Sequence, residues 1–215
     1  MEKQAKKDFY EFCEIIRRLR APGGCPWDRE QTHETLRKHL IEEAYEACDA
    51  IDEGNPEKIA DELGDVLLQI VMHAQVGKEA GTFDIDDVTD IVSRKMIQRH
   101  PHVFGDVKVE NSSEVLENWE EIKKKTRGQK TTYEAMEGVS KSLPALYRAG
   151  KIIEKAQKGG FIKKEASVTV TPEEVGEKLF EIATLACQCG IDAEEALSAF
   201  TKKFIKKIKN IEENT

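Results

Sequence analysis

The stretch that decides the fold reads LIEEAYE at residues 40–46 and, after a turn, DELGD at residues 61–65. In each run two acids are three residues apart, so their side chains share one face of a helix. Between the runs, Gly54–Pro56 supplies a glycine that ends a helix, an asparagine N-cap and a proline at the first helical position. The pattern predicts an antiparallel helical hairpin. The paired acids are Glu43 with Glu46, and Glu62 with Asp65.

The predicted hairpin brings the two acidic pairs to matching heights. At about 1.5 Å per residue, the first pair lies roughly 12 to 16 Å before Gly54, and the second roughly 9 to 14 Å beyond Pro56. Four carboxylates at close quarters repel one another strongly unless a cation neutralises them. Oxygen ligands without an accompanying His or Cys cluster suit Mg²⁺, with Mn²⁺ as a substitute. The sequence therefore predicts a metal site between the two helices.

Two other interpretations of the acidic runs are available. The first is an ordinary solvated helix face, but residues 41–65 hold ten acids and one base, Lys58, for a net charge of −9. The second is a di-iron bundle, which needs a Glu-x-x-His pair on each of two helices. Only Glu30 and His33 have that spacing, and they lie near a helix start away from the acidic runs.

The charge of the whole chain is concentrated in this hairpin. The 215 residues contain 33 Lys and Arg and 41 Asp and Glu, for a formal net charge of −8, so the chain outside residues 41–65 sums to +1. This balance argues against a partner such as bulk nucleic acid, whose phosphates need a surplus of Lys and Arg. No apolar stretch is long enough to span a membrane, and the N-terminal residues lack the apolar core of a signal peptide. We expect a cytoplasmic protein without a membrane partner.

Composition and periodicity predict an all-α fold. The chain has only 14 Gly and 6 Pro, and apolar residues recur at helical spacing. Residues 25–28 follow a Pro-Gly-Gly break and are predicted to be a loop. The predicted helices are 5–20, 33–53, 56–80, 84–98, 112–125, 140–157, 172–188 and 192–212.

Several motifs in a fixed order resemble one family. They are GCPWDxxQT from Gly24, the EExYE and ELGD helices, RHPHVF from Arg99, and NWExIK from Asn118. Together they closely resemble the MazG family of all-α nucleoside triphosphate pyrophosphohydrolases. The resemblance implies tandem helical units that form four-helix-bundle-type cores, usually through a homodimer. It also implies Mg²⁺-dependent cleavage of an NTP or dNTP between the α and β phosphates, which releases NMP and pyrophosphate.

The resemblance also implies roles for individual residues. Glu43, Glu46, Glu62 and Asp65 are the implied metal ligands, and Glu42 is an additional ligand or water-orienting base.

Lys95 and Arg99 match positions that look substrate-binding in the family. Trp119 is a candidate to stack on the base, Lys123 to contact phosphate, and Trp27 with Asp28 to shape the nucleotide pocket. Each has a structural alternative. Lys95 and Arg99 also suit a solvated helix face, Trp119 a core anchor, and Trp27 with Asp28 a pinned loop.

The C-terminal part departs from the two-domain members of the family. Residues 174–182 echo residues 62–70, so Glu174 and Glu177 stand in the ELGD-like position, but no EExxE helix precedes them. We therefore predict a catalytic domain at 1–130 and, at 131–215, a degenerate second unit that serves packing or dimerisation.

Three functions compete at this level. The leading prediction is an enzyme that removes canonical or damaged nucleotides from the pool. The alternatives are a nucleotide-binding regulatory module without turnover and a helical interaction protein. The complete set of four carboxylates favours the enzyme over both.

Overall fold

The protein is all-α, as predicted. The structure, a computed structural model, describes residues 6–126, 128–163 and 169–214, and within these ranges it contains helices and no strands. None of the helices in the described ranges is long and apolar enough to cross a membrane. The chain divides into two compact units, Met1–Gln98 and Arg99–Thr215.

The first unit is built around a helical hairpin. Its helices are α1 (Phe9–Arg20), α2 (Pro26–Glu30), α3 (His33–Glu53), α4 (Pro56–Glu79) and α5, which runs Ile85–Arg99 and ends one residue into the second unit. Helices α3 and α4 pack against each other along their length, and α1 packs on α4.

The turn between α3 and α4 follows from its sequence. Gly54 adopts a left-handed conformation with φ 71°, which a residue with a Cβ rarely accepts. The Asn55 side chain then accepts a hydrogen bond from the backbone N–H of Glu57, and Pro56 occupies the first helical position. The hairpin predicted from residues 54–56 is thus confirmed.

The core of the first unit lies at the end of the hairpin far from the turn. Ile16, Leu36, Val71 and Met72 form a buried cluster there. Burying side chains of this size contributes roughly 1.5 to 3 kcal/mol each. The cluster holds α3 and α4 in register, and the hairpin extends from it toward Gly54.

The second unit has its own core. Its helices are α6 (Pro101–Phe104), α7 (Ser112–Thr126), α8 (Thr132–Glu137), α9 (Ala145–Lys158), α10 (Pro172–Gln188) and α11 (Ala193–Glu213). Helices α8, α9 and α11 pack together around Met136, Ile152 and Ile205, each at most 2% exposed.

Three local predictions were wrong. Helix α1 begins at Phe9 instead of residue 5, because the Asp8 side chain accepts a hydrogen bond from the backbone N–H of Glu11 and caps the helix there. Residues 26–30 form the short helix α2 instead of a loop, because Pro26 suits the first helical position and Asp28 lies in the first turn. Helix α9 begins at Ala145 instead of residue 140, because a residue before proline, here Leu143 before Pro144, disfavours the α conformation.

Candidate metal centre

Three carboxylates from the two hairpin helices converge. Glu43 comes from α3, and Glu62 and Asp65 come from successive turns of α4. One oxygen of each lies within 4.8 Å of the others, and all three residues are half-buried. The group forms because the two acidic faces lie at the same distance from the Gly54 turn.

Burial and neighbouring negative charges raise the pKa of both glutamates in this group. The pKa of Glu43 is raised above its ordinary value, first by burial and then by the negative charge of Asp65. The pKa of Glu62 is raised by burial and then by Glu46. The opposing influences, from His39 on Glu43 and from a lysine on Glu62, are the smallest of those that act on each group. Within the described part of the chain, the negative neighbours of these carboxylates therefore outweigh the positive ones.

The fourth predicted ligand lies at the edge of the group. The charge of Glu46 raises the pKa of both Glu43 and Glu62, so its carboxylate is close to both. Its side chain is exposed, and its oxygens are not among those that lie within 4.8 Å of one another. The structure thus brings three of the four predicted ligands together and leaves Glu46 beside them.

Glu42 has a different neighbour. It is exposed, and its Oε2 lies 3.0 Å from Nδ1 of His39, one turn earlier on α3. The His39 ring in turn meets the Trp27 ring edge to face, with centroids 6.3 Å apart. His39 therefore connects the α2 tryptophan to the acidic face of α3.

His39 was not singled out from the sequence. Its position three and four residues before Glu42 and Glu43 places it on the acidic face, and that spacing was the available signal. Helix α2 itself presents Trp27, a residue that is 56% exposed, while the main-chain carbonyl of Asp28 accepts a hydrogen bond from Arg20.

Three of the predicted substrate-binding residues gather in the second unit. The Arg99 guanidinium carbon lies 5.1 Å from the centre of the Trp119 ring, and the Lys123 Nζ lies 4.5 Å from it. Lys123 also contacts Glu120, with its Nζ 3.3 Å from Oε1. Arg99 Nε is buried and has no hydrogen-bond partner within the described part of the chain. Lys95 is exposed on α5 in the first unit.

The second unit contains no comparable acidic group among its described residues. Glu174 is part of a capping box with Thr171 at the start of α10, where its carboxylate accepts the Thr171 N–H at 2.7 Å. Glu177 is exposed. The acid that echoes Glu62 in sequence thus caps a helix, which is a structural task.

A known protein domain matches the part of the chain that contains the acidic hairpin. Residues 31–104 match the MazG nucleotide pyrophosphohydrolase domain. That range includes the acidic faces of α3 and α4 together with Lys95 and Arg99, whereas Trp27, Asp28, Trp119 and Lys123 lie outside it.

Three relatives cover much of the chain. The nucleoside triphosphate pyrophosphohydrolase/pyrophosphatase MazG of Thermotoga maritima is 40% identical over 229 residues, which are 98% of this chain and 88% of that protein. The nucleoside triphosphate pyrophosphohydrolase of Escherichia coli K12 is 40% identical over 222 residues, 92% of this chain and 84% of that one. The uncharacterized protein YabN of Bacillus subtilis is 51% identical over 153 residues, which are 70% of this chain but only 31% of YabN.

These likenesses and the all-α hairpin define a nucleotide pyrophosphohydrolase, a class of hydrolase. The chain belongs to the MazG family.

Proposed function

We propose that this protein hydrolyses nucleoside triphosphates at the α–β phosphate bond, giving NMP and pyrophosphate, with Mg²⁺ as its metal. The observation that carries the proposal is the convergence of Glu43, Glu62 and Asp65 within 4.8 Å. Family membership supports the reaction class, and relatives from two bacteria are named for the hydrolysis of nucleoside triphosphates.

The donor set fits a hard divalent cation. The three converging groups are carboxylates, and burial together with neighbouring negative charge raises the pKa of Glu43 and of Glu62. Oxygen donors of this kind suit Mg²⁺, and Mn²⁺ would substitute. Glu43, Glu62 and Asp65 would hold the ion, with Glu46 as a fourth ligand at the edge. A divalent metal in such a site polarises phosphoryl oxygens and makes water more acidic.

The chain's own residues would complete the reaction. Glu46 is an exposed carboxylate beside the cluster, and Glu42 is an exposed carboxylate next to Glu43 in the chain, so we assign to one of them the task of orienting the attacking water or accepting its proton. Lys95, Arg99 and Lys123 would balance the charge of the triphosphate. Trp27 presents an exposed ring on the side of His39, and Trp119 lies among cations, so the two rings are candidates to contact the base.

A homodimer is part of the proposal. The α3–α4 hairpin buries one face and leaves large apolar side chains on the other, among them Tyr45 at 58% and Leu63 at 50% exposure. A hairpin of two helices completes a four-helix bundle when a second hairpin covers that face. A second copy of the chain supplies one, and sedimentation equilibrium would then report a mass of about twice 24.3 kDa.

The role of the C-terminal unit is inferred from its sequence, in which no EExxE motif precedes Glu174 and Glu177. We propose that residues 131–215 are a degenerate, non-catalytic copy that serves packing or dimerisation. A protein of this kind would act in housecleaning, by removing canonical or damaged nucleotides from the pool.

One assay tests the function. Pyrophosphate release is measured from a panel of NTPs and dNTPs with Mg²⁺ and again with EDTA, for the wild type and for Glu43→Gln. Asp49→Asn is the matched control, because Asp49 is an exposed acid on the same helix and the charge change is identical. Release that requires Mg²⁺, survives in Asp49→Asn and disappears in Glu43→Gln supports the proposal. Nucleotide binding without turnover would instead indicate a regulatory module, and no binding an interaction protein.

A further inference from the structure

A buried arginine joins three segments of the first unit. Arg20, the last residue of α1, is only 9% exposed. Its Nε and Nη2 donate to the Glu79 carboxylate near the end of α4, at 2.7 to 3.2 Å. Its Nη1 donates to the main-chain carbonyl of Gln31 at 3.1 Å and to that of Asp28. One guanidinium thus binds a carboxylate on one side and two backbone carbonyls on the other.

The two carbonyls belong to the helix that presents Trp27. Asp28 lies within α2, and Gln31 is its C-cap. Gln31 also donates from its side chain to the carbonyl of Trp27 at 3.0 Å, so the residues bound by Arg20 are directly tied to the tryptophan. Helix α2 has five residues and no buried side chain, so it has little core packing of its own. Its position therefore depends on these polar contacts.

Glu79 is itself held in place. Gln75, one turn earlier on α4, donates from its Nε2 to Glu79 Oε1 at 2.9 Å. The hydrogen bonds from Arg20 lower the pKa of Glu79, so this carboxylate stays ionised as the counter-charge of the buried guanidinium. Helix α4 also carries Glu62 and Asp65, so the network extends from the helix of the metal ligands to α2.

We propose that Arg20 is a positioning residue for the nucleotide site, which sets the place of α2 and of Trp27 relative to the carboxylate cluster. The proposal rests on the proposed function, in which Trp27 is a candidate to contact the base. Arginine suits this place because its planar fork reaches the carboxylate and the two carbonyls from separate nitrogens in fixed directions, whereas the three donors of lysine all leave from one nitrogen.

The experiment compares Arg20→Gln, Arg20→Lys and a matched control, Arg17→Gln. Arg17 lies on the same helix but is exposed, and its partner Glu14 is exposed too. We measure kcat and KM for NTP hydrolysis by the full chain below its melting temperature. Separately, fluorine NMR of protein labelled with 5-fluorotryptophan reports on its two tryptophans, and Trp27→Phe identifies the Trp27 signal.

A displaced α2 weakens nucleotide contact while leaving the carboxylates in place. We therefore expect Arg20→Gln to raise KM about tenfold or more with a smaller change in kcat, the pattern of a lost binding interaction. Arg20→Lys should lie between it and the wild type, and Arg17→Gln should match the wild type. The Trp27 resonance should shift or broaden in Arg20→Gln even without nucleotide, while the Trp119 resonance stays in place.

The possible results distinguish a failure of the Arg20 proposal from a failure of the proposed NTP hydrolysis. A wild-type KM with an unchanged Trp27 resonance in Arg20→Gln overturns the proposal. The proposal is also overturned if KM is unchanged and kcat falls only as much as the fraction of folded protein falls, because Arg20 would then have a structural role alone. If Arg20→Gln does not fold, the same two readouts on Arg20→Lys decide. A wild-type protein without NTP hydrolysis refutes the proposed function, and the nucleotide-free Trp27 signal still shows whether Arg20 sets the position of α2.

Discussion

Replacing Glu43 with glutamine should make the metal-free protein more stable and remove most of its stabilisation by Mg²⁺. Glu43 faces two other carboxylates within 4.8 Å, and both burial and their charges raise its pKa. In the absence of metal this proximity is a repulsion that folding must overcome. Glutamine keeps the shape of the side chain and removes the charge.

The size of the effect follows from the distance. Two unit charges 4.8 Å apart repel by about 1 kcal/mol with water-like screening, so removing the charge of Glu43 relieves about 2 kcal/mol from its two partners. For a chain of this size, about 2 kcal/mol raises the melting temperature by roughly 4 to 8 °C. A metal ion at 100 times its dissociation constant stabilises the wild type by about 2.7 kcal/mol, which is a larger shift in the same direction.

Thermal unfolding in EDTA measures the repulsion between the carboxylates, and unfolding in rising MgCl₂ measures the stabilisation by the metal. In EDTA, Glu43→Gln should melt above the wild type, and in saturating Mg²⁺ the order should reverse. The control Asp49→Asn, an exposed acid on the same helix, should follow the wild type in both conditions. If Glu43→Gln melts no higher than the wild type in EDTA and responds equally to Mg²⁺, the acidic group is a solvated helix face and binds no metal.

Three further predictions concern the cores and a histidine pair. His73 Nδ1 lies 2.8 Å from Nδ1 of His33, and burial, followed by the charge of His33, lowers the pKa of His73. The unfolded chain then binds the extra proton more readily, so the melting temperature should fall as the pH drops below about 6.5, and His73→Gln should flatten that dependence. Ile152 is 1% exposed, so Ile152→Ala should lower the free energy of unfolding by about 2 to 5 kcal/mol. Urea denaturation measures this change. Arg148 is 2% exposed and its Nε and Nη1 have no partner within the described residues, so Arg148→Met should raise the unfolding free energy; a lower value would mean that the charge is compensated.

The hairpin could be predicted because local chemistry determines it. The Gly-Asn-Pro turn at residues 54–56 fixes where two helices end and begin, and a constant rise per residue then places Glu43, Glu62 and Asp65 at one level. What the spacing could not give is the exact rotation of each helix. That rotation puts Glu46 at the edge of the cluster and turns Glu42 toward His39.

The contacts that link distant segments were not predictable in the same way. Arg20 and Glu79 are 59 residues apart, and nothing in the spacing of either residue indicates the other. Helix α2 was missed because a five-residue helix after a glycine pair has too few positions to show a period. The approach of Arg99 to Trp119 likewise depends on tertiary packing, whereas Lys123 lies one turn after Trp119 on α7. The role of Trp119 at the nucleotide stays a prediction.

Phosphorus NMR of the products tests the central claim most directly, that the hairpin carboxylates direct cleavage at the α–β bond. A nucleoside triphosphate is incubated with the protein and Mg²⁺, and the spectrum separates NMP with pyrophosphate from NDP with phosphate. We expect equal amounts of NMP and pyrophosphate with the wild type, the same with Asp49→Asn, and no product with Glu43→Gln or with EDTA. NDP and phosphate from the wild type, or undiminished pyrophosphate from Glu43→Gln, would contradict it.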